Sequence, residues 1–254
     1  MLRSRIVPSL LVRRGGLVKT VKFGDGKYVG DPINAVKIFN EKEVDELAVF
    51  DIDATVKGDN PDFNLIERLA AESRMPVCYG GGVKTADQAR RIVQSGIEKV
   101  AVSSAALSNP ALIEDMANAI GSQSVVVVLD VRKSFFGGYD IYTHNGKSKS
   151  NISLDDACIA LQQRGVGEFV VNSIDRDGTM EGYDVKLISK VREKISSPMT
   201  ALGGASSFDD IKQLVDEFGP IGAAAGSLFV FKGRYKAVLI NYLSAVDRQL
   251  IEGI

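Results

Sequence analysis

Short apolar runs alternate with amphipathic stretches along the whole chain. The runs near residues 6–12, 46–51, 76–79, 99–102, 124–130, 168–172, 198–202 and 222–225 are apolar at nearly every position. That pattern predicts strands covered on both faces, as in an all-parallel sheet. The stretches near 32–43, 63–73, 86–95, 110–120, 154–164, 185–194, 208–218 and 236–243 carry the helical period. Asp31-Pro32, Asn109-Pro110 and Ser153 ahead of Asp156 are helix-start signals. Eight strand–helix pairs in 254 residues predict one α/β domain over residues 1–254, a closed (β/α)8 TIM barrel. An open, doubly wound sheet is the alternative.

The strand ends add chemistry to this outline. Asn172-Ser173-Ile174-Asp175-Arg176-Asp177-Gly178-Thr179 follows one strand, Gly203-Gly204 ends the next, and Gly226-Ser227 ends the last. In parallel α/β proteins the carboxyl ends of strands face the ligand, and free N–H groups at glycine-rich turns suit anions. The arrangement occurs twice. Gly81 and Gly203 stand 122 residues apart, Ser104 and Ser227 stand 123 apart, and Leu11-Val12-Arg13 aligns with Asp130-Val131-Arg132. An offset of half the chain predicts a half-barrel duplication with two anion sites, suited to a substrate phosphorylated at both ends. Two long connections, 13–30 and 131–150, read as lids over that mouth, the second as a small hairpin.

Composition removes several classes. Net charge is −1, which gives no electrostatic case for nucleic acid or a membrane surface. No apolar stretch approaches the ~18 residues of a membrane span, and the N-terminal residues lack a signal-peptide core. Two cysteines, Cys78 and Cys158, without a C-x-x-C and with one histidine, predict neither a metal site nor a disulfide framework, and a cytoplasmic setting. No cofactor motif is evident.

Ile6-Val7-Pro8, Gly80-Gly81-Gly82, Gly121-Ser122-Gln123, Tyr142-Thr143-His144 and the Asp175-Arg176-Asp177-Gly178-Thr179 turn together resemble the HisF family, the cyclase subunits of imidazole glycerol phosphate synthase. The resemblance runs end to end. It implies a barrel that docks a HisH-like glutaminase at its N-terminal face and passes ammonia along its axis to a bisphosphorylated ribulosyl nucleotide. The products would be imidazole glycerol phosphate and the aminoimidazole ribotide of purine synthesis. It also implies phosphate sites at Gly82, Ser103 and Ser104 and at Asp177, Gly178, Gly204, Gly226 and Ser227. The family usually has Asn-Thr at positions 103 and 104, so an amide contact is replaced by a hydroxyl. An ammonia gate of Arg5, Glu46, Lys99 and Glu168 is implied at the barrel floor.

One position departs from the family. Its chemistry uses two aspartates, ending strands 1 and 5; Asp130 is the second, and the first is Leu11. Leucine transfers no proton, and general acid–base help is worth about 10²–10⁴ in rate. Asp51 or Asp177 is the candidate substitute. With the Leu10-Leu11 pair, Gly16-Leu17-Val18-Lys19 and Asp31-Pro32-Ile33-Asn34, the chain is similar to a HisF-like branch of surface-polysaccharide loci. In that branch ammonia is thought to serve a third enzyme that makes an acetamidino sugar. Three readings are open: ammonia delivery for sugar amidation, the ordinary cyclase of histidine biosynthesis, and a non-catalytic barrel that activates its glutaminase.

Smaller signals have plainer readings beside them. Lys19 would bind substrate phosphate or cover the site, or be a solvated loop lysine. Asp51 would orient a ligand, pair with Lys19, or cap a helix. His144, before Asn145-Gly146, reads as a turn residue. Phe229-Val230-Phe231 reads as packing for a short helix over the second anion site. Arg74, Lys84 and Lys212 read as solvated helix ends.

Overall fold

Strand β1 (Arg5–Arg13) is followed round a cylinder by β2 (Leu47–Asp51), β3 (Val77–Gly80), β4 (Lys99–Val102), β5 (Val125–Lys133), β6 (Glu168–Ser173), β7 (Met199–Leu202) and β8 (Gly222–Ala225). Each pairs in parallel with the next, and β8 closes on β1 with Arg5 opposite Gly222 and Pro8 opposite Ala225. These elements come from a computed structural model that describes residues 3–135 and 137–252; Met1, Leu2, Phe136, Gly253 and Ile254 lie outside them. The closed parallel barrel replaces the open-sheet alternative.

Strand parity explains the unbroken apolar runs. Alternate residues face opposite sides. One set (Leu10, Val49, Val127, Phe169, Ala223) packs against the helices in the main core. The other (Val7, Ala48, Cys78, Ala101, Val126, Val170, Ala224) fills the axis. The axial residues are mostly small, and they leave a cavity of about 10 Å³ above the floor.

The outer layer is α1 (Pro32–Glu41), α2 (Phe63–Glu72), α3 (Ala86–Gln94), α4 (Ala111–Ile120), α5 (Leu154–Gln163), α6 (Val185–Arg192), α7 (Phe208–Phe218) and α8 (Ala245–Glu252). Asp31 and Ser153 cap α1 and α5 by accepting from Asn34 N–H and Asp156 N–H. Asn109 gives no side-chain cap; α4 starts from Pro110. No helix among the described residues is long and apolar enough to cross a membrane.

The eighth helix lies beyond the stretch its periodicity predicts. Residues 236–243 are not helical. Phe231–Lys232 pairs with Ala237–Val238, and Leu239 N–H and Asn241 N–H donate to Val230 O at 3.0 Å and Phe229 O at 2.9 Å. Those long-range bonds use the donors a helix would need. α8 starts after Ser244, whose Oγ accepts from Asp247 N–H at 3.1 Å while Ser244 N–H donates to Asp247 Oδ2 at 3.2 Å.

Both long connections are hairpins. β1 runs on into Gly16–Lys19 and Lys27–Gly30, and β5 into Tyr139–Thr143 and Ser148–Lys149. The two halves thus share long strands 1 and 5, hairpins after them, and a short helix after β4 (Ser104–Ser108) and after β8 (Ser227–Val230).

Losing the Ser244 cap should cost α8 about 1 kcal/mol. Ser244→Ala is expected to speed amide exchange across residues 245–252 with little change in the barrel strands. Uniform loss of protection would show that α8 does not open separately.

Candidate active site

At the carboxyl ends of the strands a cavity of about 160 Å³ is lined by Leu11, Lys19, Asp51, Gly82, Ser103, Ser104, Asp130, His144, Asn172, Asp177 and Gly226, among others. The two halves place Leu11 and Asp130 in this one cavity. Asn172 Nδ2 donates to Asp130 Oδ1 at 2.9 Å. Burial pushes the Asp130 carboxyl up to about 7; the Asn172 bond opposes that shift and the charge of Asp177 adds to it. A carboxyl poised there can hold or release a proton near neutral pH.

On the first-half side, Ser103 Oγ is buried and has no hydrogen-bond partner among the described residues. Ser104 Oγ accepts from His144 N–H at 3.4 Å, and Gly82 N–H donates to Thr55 Oγ1 at 3.4 Å. His144 sits at the hairpin turn with φ +52° and hydrogen-bonds Thr143 through Nδ1 at 2.9 Å. It is a turn residue that also lines the cavity.

The second-half side is a separate small cavity of about 10 Å³ beside the first, lined by Lys19, Asp177, Gly178, Gly204, Gly226 and Ser227. Lys19 is 6 % exposed. Its Nζ donates to Asp177 Oδ1 at 2.7 Å and to Thr20 O at 2.9 Å, while Thr20 Oγ1 donates to Asp177 Oδ2 at 3.1 Å. Lys19 therefore pairs with Asp177, not with Asp51. Asp177 N–H is held in the turn by Ser173 O at 2.9 Å, so Asp177 fixes the lysine and offers no free donor. Gly226 lets Lys19 approach: a Cβ there would stand 2.9 Å from Lys19 Cε.

Asp51 Oδ1 accepts from Asp53 N–H at 3.0 Å and Ala54 N–H at 3.2 Å, which starts the short helix Ala54–Lys57. Burial raises its carboxyl, and those N–H groups oppose the shift. Asp175 turns away from the cavity and accepts from Lys133 N–H at 2.8 Å.

At the other end of the axis, Arg5, Glu46, Lys99 and Glu168 form one ring. Arg5 donates to Glu46 and, at 2.8 Å, to Glu168; Lys99 lies 2.8 Å from both carboxylates. Burial alone would raise Glu168, but the bonds and charges of Arg5 and Lys99 outweigh it and hold the carboxyl down at about 2. Arg5 is raised too, its two carboxylate partners outweighing burial.

Three contributors were not singled out by sequence reasoning: Thr20, Asn145 and Asn172. Asn145 Nδ2 donates to Ile52 O at 2.7 Å and ties the second hairpin across the mouth. For Asn172 a signal existed: it stands an even number of residues from Glu168 on one strand, hence on the same inward face.

The raised Asp130 carboxyl carries a stability consequence with a definite sign. The folded chain keeps this proton to about pH 7, whereas an exposed aspartate releases it near 3.8. Stability from this group is therefore greatest below the lower value and declines as pH rises to the upper, by up to about 4 kcal/mol. Asp130→Asn should be more stable than the natural chain at pH 8 and little different at pH 3.5 in urea unfolding. An equal difference at both pH values would contradict the shift.

The histidine biosynthesis protein family model matches residues 5–236. A protein of Leptospira borgpetersenii, provisionally named imidazole glycerol phosphate synthase subunit HisF, is 54 % identical over 99 % of each chain. A provisionally named subunit hisF3 of Vibrio vulnificus is 55 % identical over 98 % of this chain and 96 % of its own. Imidazole glycerol phosphate synthase subunit HisF of Alkaliphilus metalliredigens is 35 % identical over 90 % of this chain and 91 % of its own. The chain belongs to the histidine biosynthesis protein family, as one of its HisF barrels.

Proposed function

We propose that this barrel is the ammonia-using half of a glutamine amidotransferase. It takes ammonia from a HisH-like glutaminase docked at the Arg5–Glu46–Lys99–Glu168 face and delivers it for amidation of an acetamido sugar in surface-polysaccharide synthesis, with a third enzyme completing that step. The observation that carries the reading is the mouth itself: Leu11 stands where the second half has Asp130, so the cavity offers proton transfer from one of its two matched positions. The ring and the small-residue axis support the route, because mutually neutralised charges close a floor above which a water-sized space remains. Ser103 Oγ and the Lys19-lined cavity support a phosphorylated ligand held at both sides.

The raised Asp130 carboxyl favours a second reading, the ordinary cyclase, since one group near neutrality can act as acid and then as base. Turnover of the bisphosphorylated ribulosyl nucleotide with ammonium supplied directly separates the two. On the amidation reading the natural chain is at least about 10²-fold below a typical turnover of 1–10³ s⁻¹, and Leu11→Asp recovers part of it. Turnover within about tenfold of that range restores the ordinary cyclase.

The docking face has its own test. Lys99→Met leaves Glu46 and Glu168 with one cation fewer, which should alter glutamine hydrolysis by an added HisH-like glutaminase or uncouple it from ammonia use. Unchanged rate and coupling would count against the gate.

A further inference from the structure

Strand β6 carries a column of side chains from floor to mouth. Glu168, Val170 and Asn172 share its inward face. Glu168 belongs to the charged ring, Val170 lines the axial cavity, and Asn172 lines the mouth. A small molecule leaving the axis along this column meets the Asn172 carboxamide at the top.

That carboxamide is half used. Nδ2 donates to Asp130, its direct partner across the β5–β6 pair. Oδ1 is buried and has no hydrogen-bond partner among the described residues, on a residue only 6 % exposed. A buried acceptor left unpaired costs about 1–3 kcal/mol, so a donor that fits the space is favoured there. Leu11, Phe50 and Leu202, which line the same cavity, supply none. Gly203 keeps the approach open: a Cβ there would stand 3.1 Å from Asn172 Oδ1. The axial cavity below, about 10 Å³, admits only a water-sized molecule.

We propose that Asn172 Oδ1 is a docking point for ammonia, accepting one of its N–H groups as it leaves the axis, while Nδ2 of the same carboxamide positions Asp130 beside it. The site rests on the ammonia-delivery reading. Ammonia bound this way keeps its lone pair for the mouth cavity. A molecule that arrives as ammonium passes one proton to the Asp130 carboxylate, giving neutral ammonia and a carboxylic acid. Burial of Asp130 favours that uncharged form.

The test follows two signals in the full-length chain by nuclear magnetic resonance. The Asn172 side-chain amide pair is assigned by its disappearance in Asn172→Leu. It is then titrated with ammonium chloride, with potassium chloride as the ionic-strength control. The expected result is a saturable shift with ammonium alone. The titration midpoint of the Asp130 carboxyl carbon should rise by about one pH unit in Asn172→Leu, because a donor to its charged form is lost. Asn172→Ala serves the same comparison should the leucine variant not fold. Equal shifts with both salts, or an Asp130 midpoint unmoved in the variants, would overturn the assignment. Glutamine hydrolysis by the complex with an added HisH-like glutaminase separates the two ideas. Intact coupling without the ammonium-specific shift removes the Asn172 site alone; the shift without coupling removes the delivery reading and keeps the site.

Discussion

The parity of eight closed strands is the constraint on which the rest of this molecule depends. Once β8 pairs with β1, every second residue must lie on the axis, and its height is fixed by its place along the strand. Charged residues at strand starts therefore meet in one ring, small ones above them leave a narrow column, and polar ones at strand ends share a mouth. The ring in turn needs all its members. Two carboxylates and two cations in a poorly solvated floor compensate one another, and removing one leaves a buried charge without its partner.

Two carboxylates in the same barrel show how far local surroundings govern charge. Glu168 is buried and Asp130 is half-buried in the cavity wall, and desolvation pushes each upward. Glu168 ends near 2 because Arg5 and Lys99 face it. Asp130 ends near 7 because its nearest help is one neutral amide and its charged neighbour Asp177 has the same sign. Glu168 at the floor is thus held ionised across the physiological range, while the mouth keeps a group that exchanges its proton there.

Much of this was legible in the chain. Strands covered on both faces leave continuous apolar runs, so all eight could be placed. The set of Arg5, Glu46, Lys99 and Glu168 came from the family resemblance, since each alone reads as an ordinary surface charge at a strand start. Legibility failed where distant pairing overrode a local pattern. Residues 236–243 have a helical spacing, but their backbone bonds to 229–232 came from folding over the barrel, and the start signal at Ser244 and Asp247 lies just beyond. Lys19 and Asp177 are 158 residues apart, and only the first hairpin brings them together. The Asp130–Asn172 bond spans adjacent strands joined through a hairpin and a helix, which no spacing rule reveals.

The pseudo-symmetric halves have a historical consequence. Arg13 with Asp53 and Arg132 with Asp175 are matching ion pairs, at 3.4 Å and 3.9 Å, that brace corresponding corners of the two halves. Architecture is held in duplicate by such braces, so a reactive group in one copy can drift without loosening either. Leu11 and Asp130 stand at matched positions, each ahead of an intact hairpin, one apolar and one a carboxyl. The two halves can thus differ in the chemistry of one matched position while the scaffold of each stays the same.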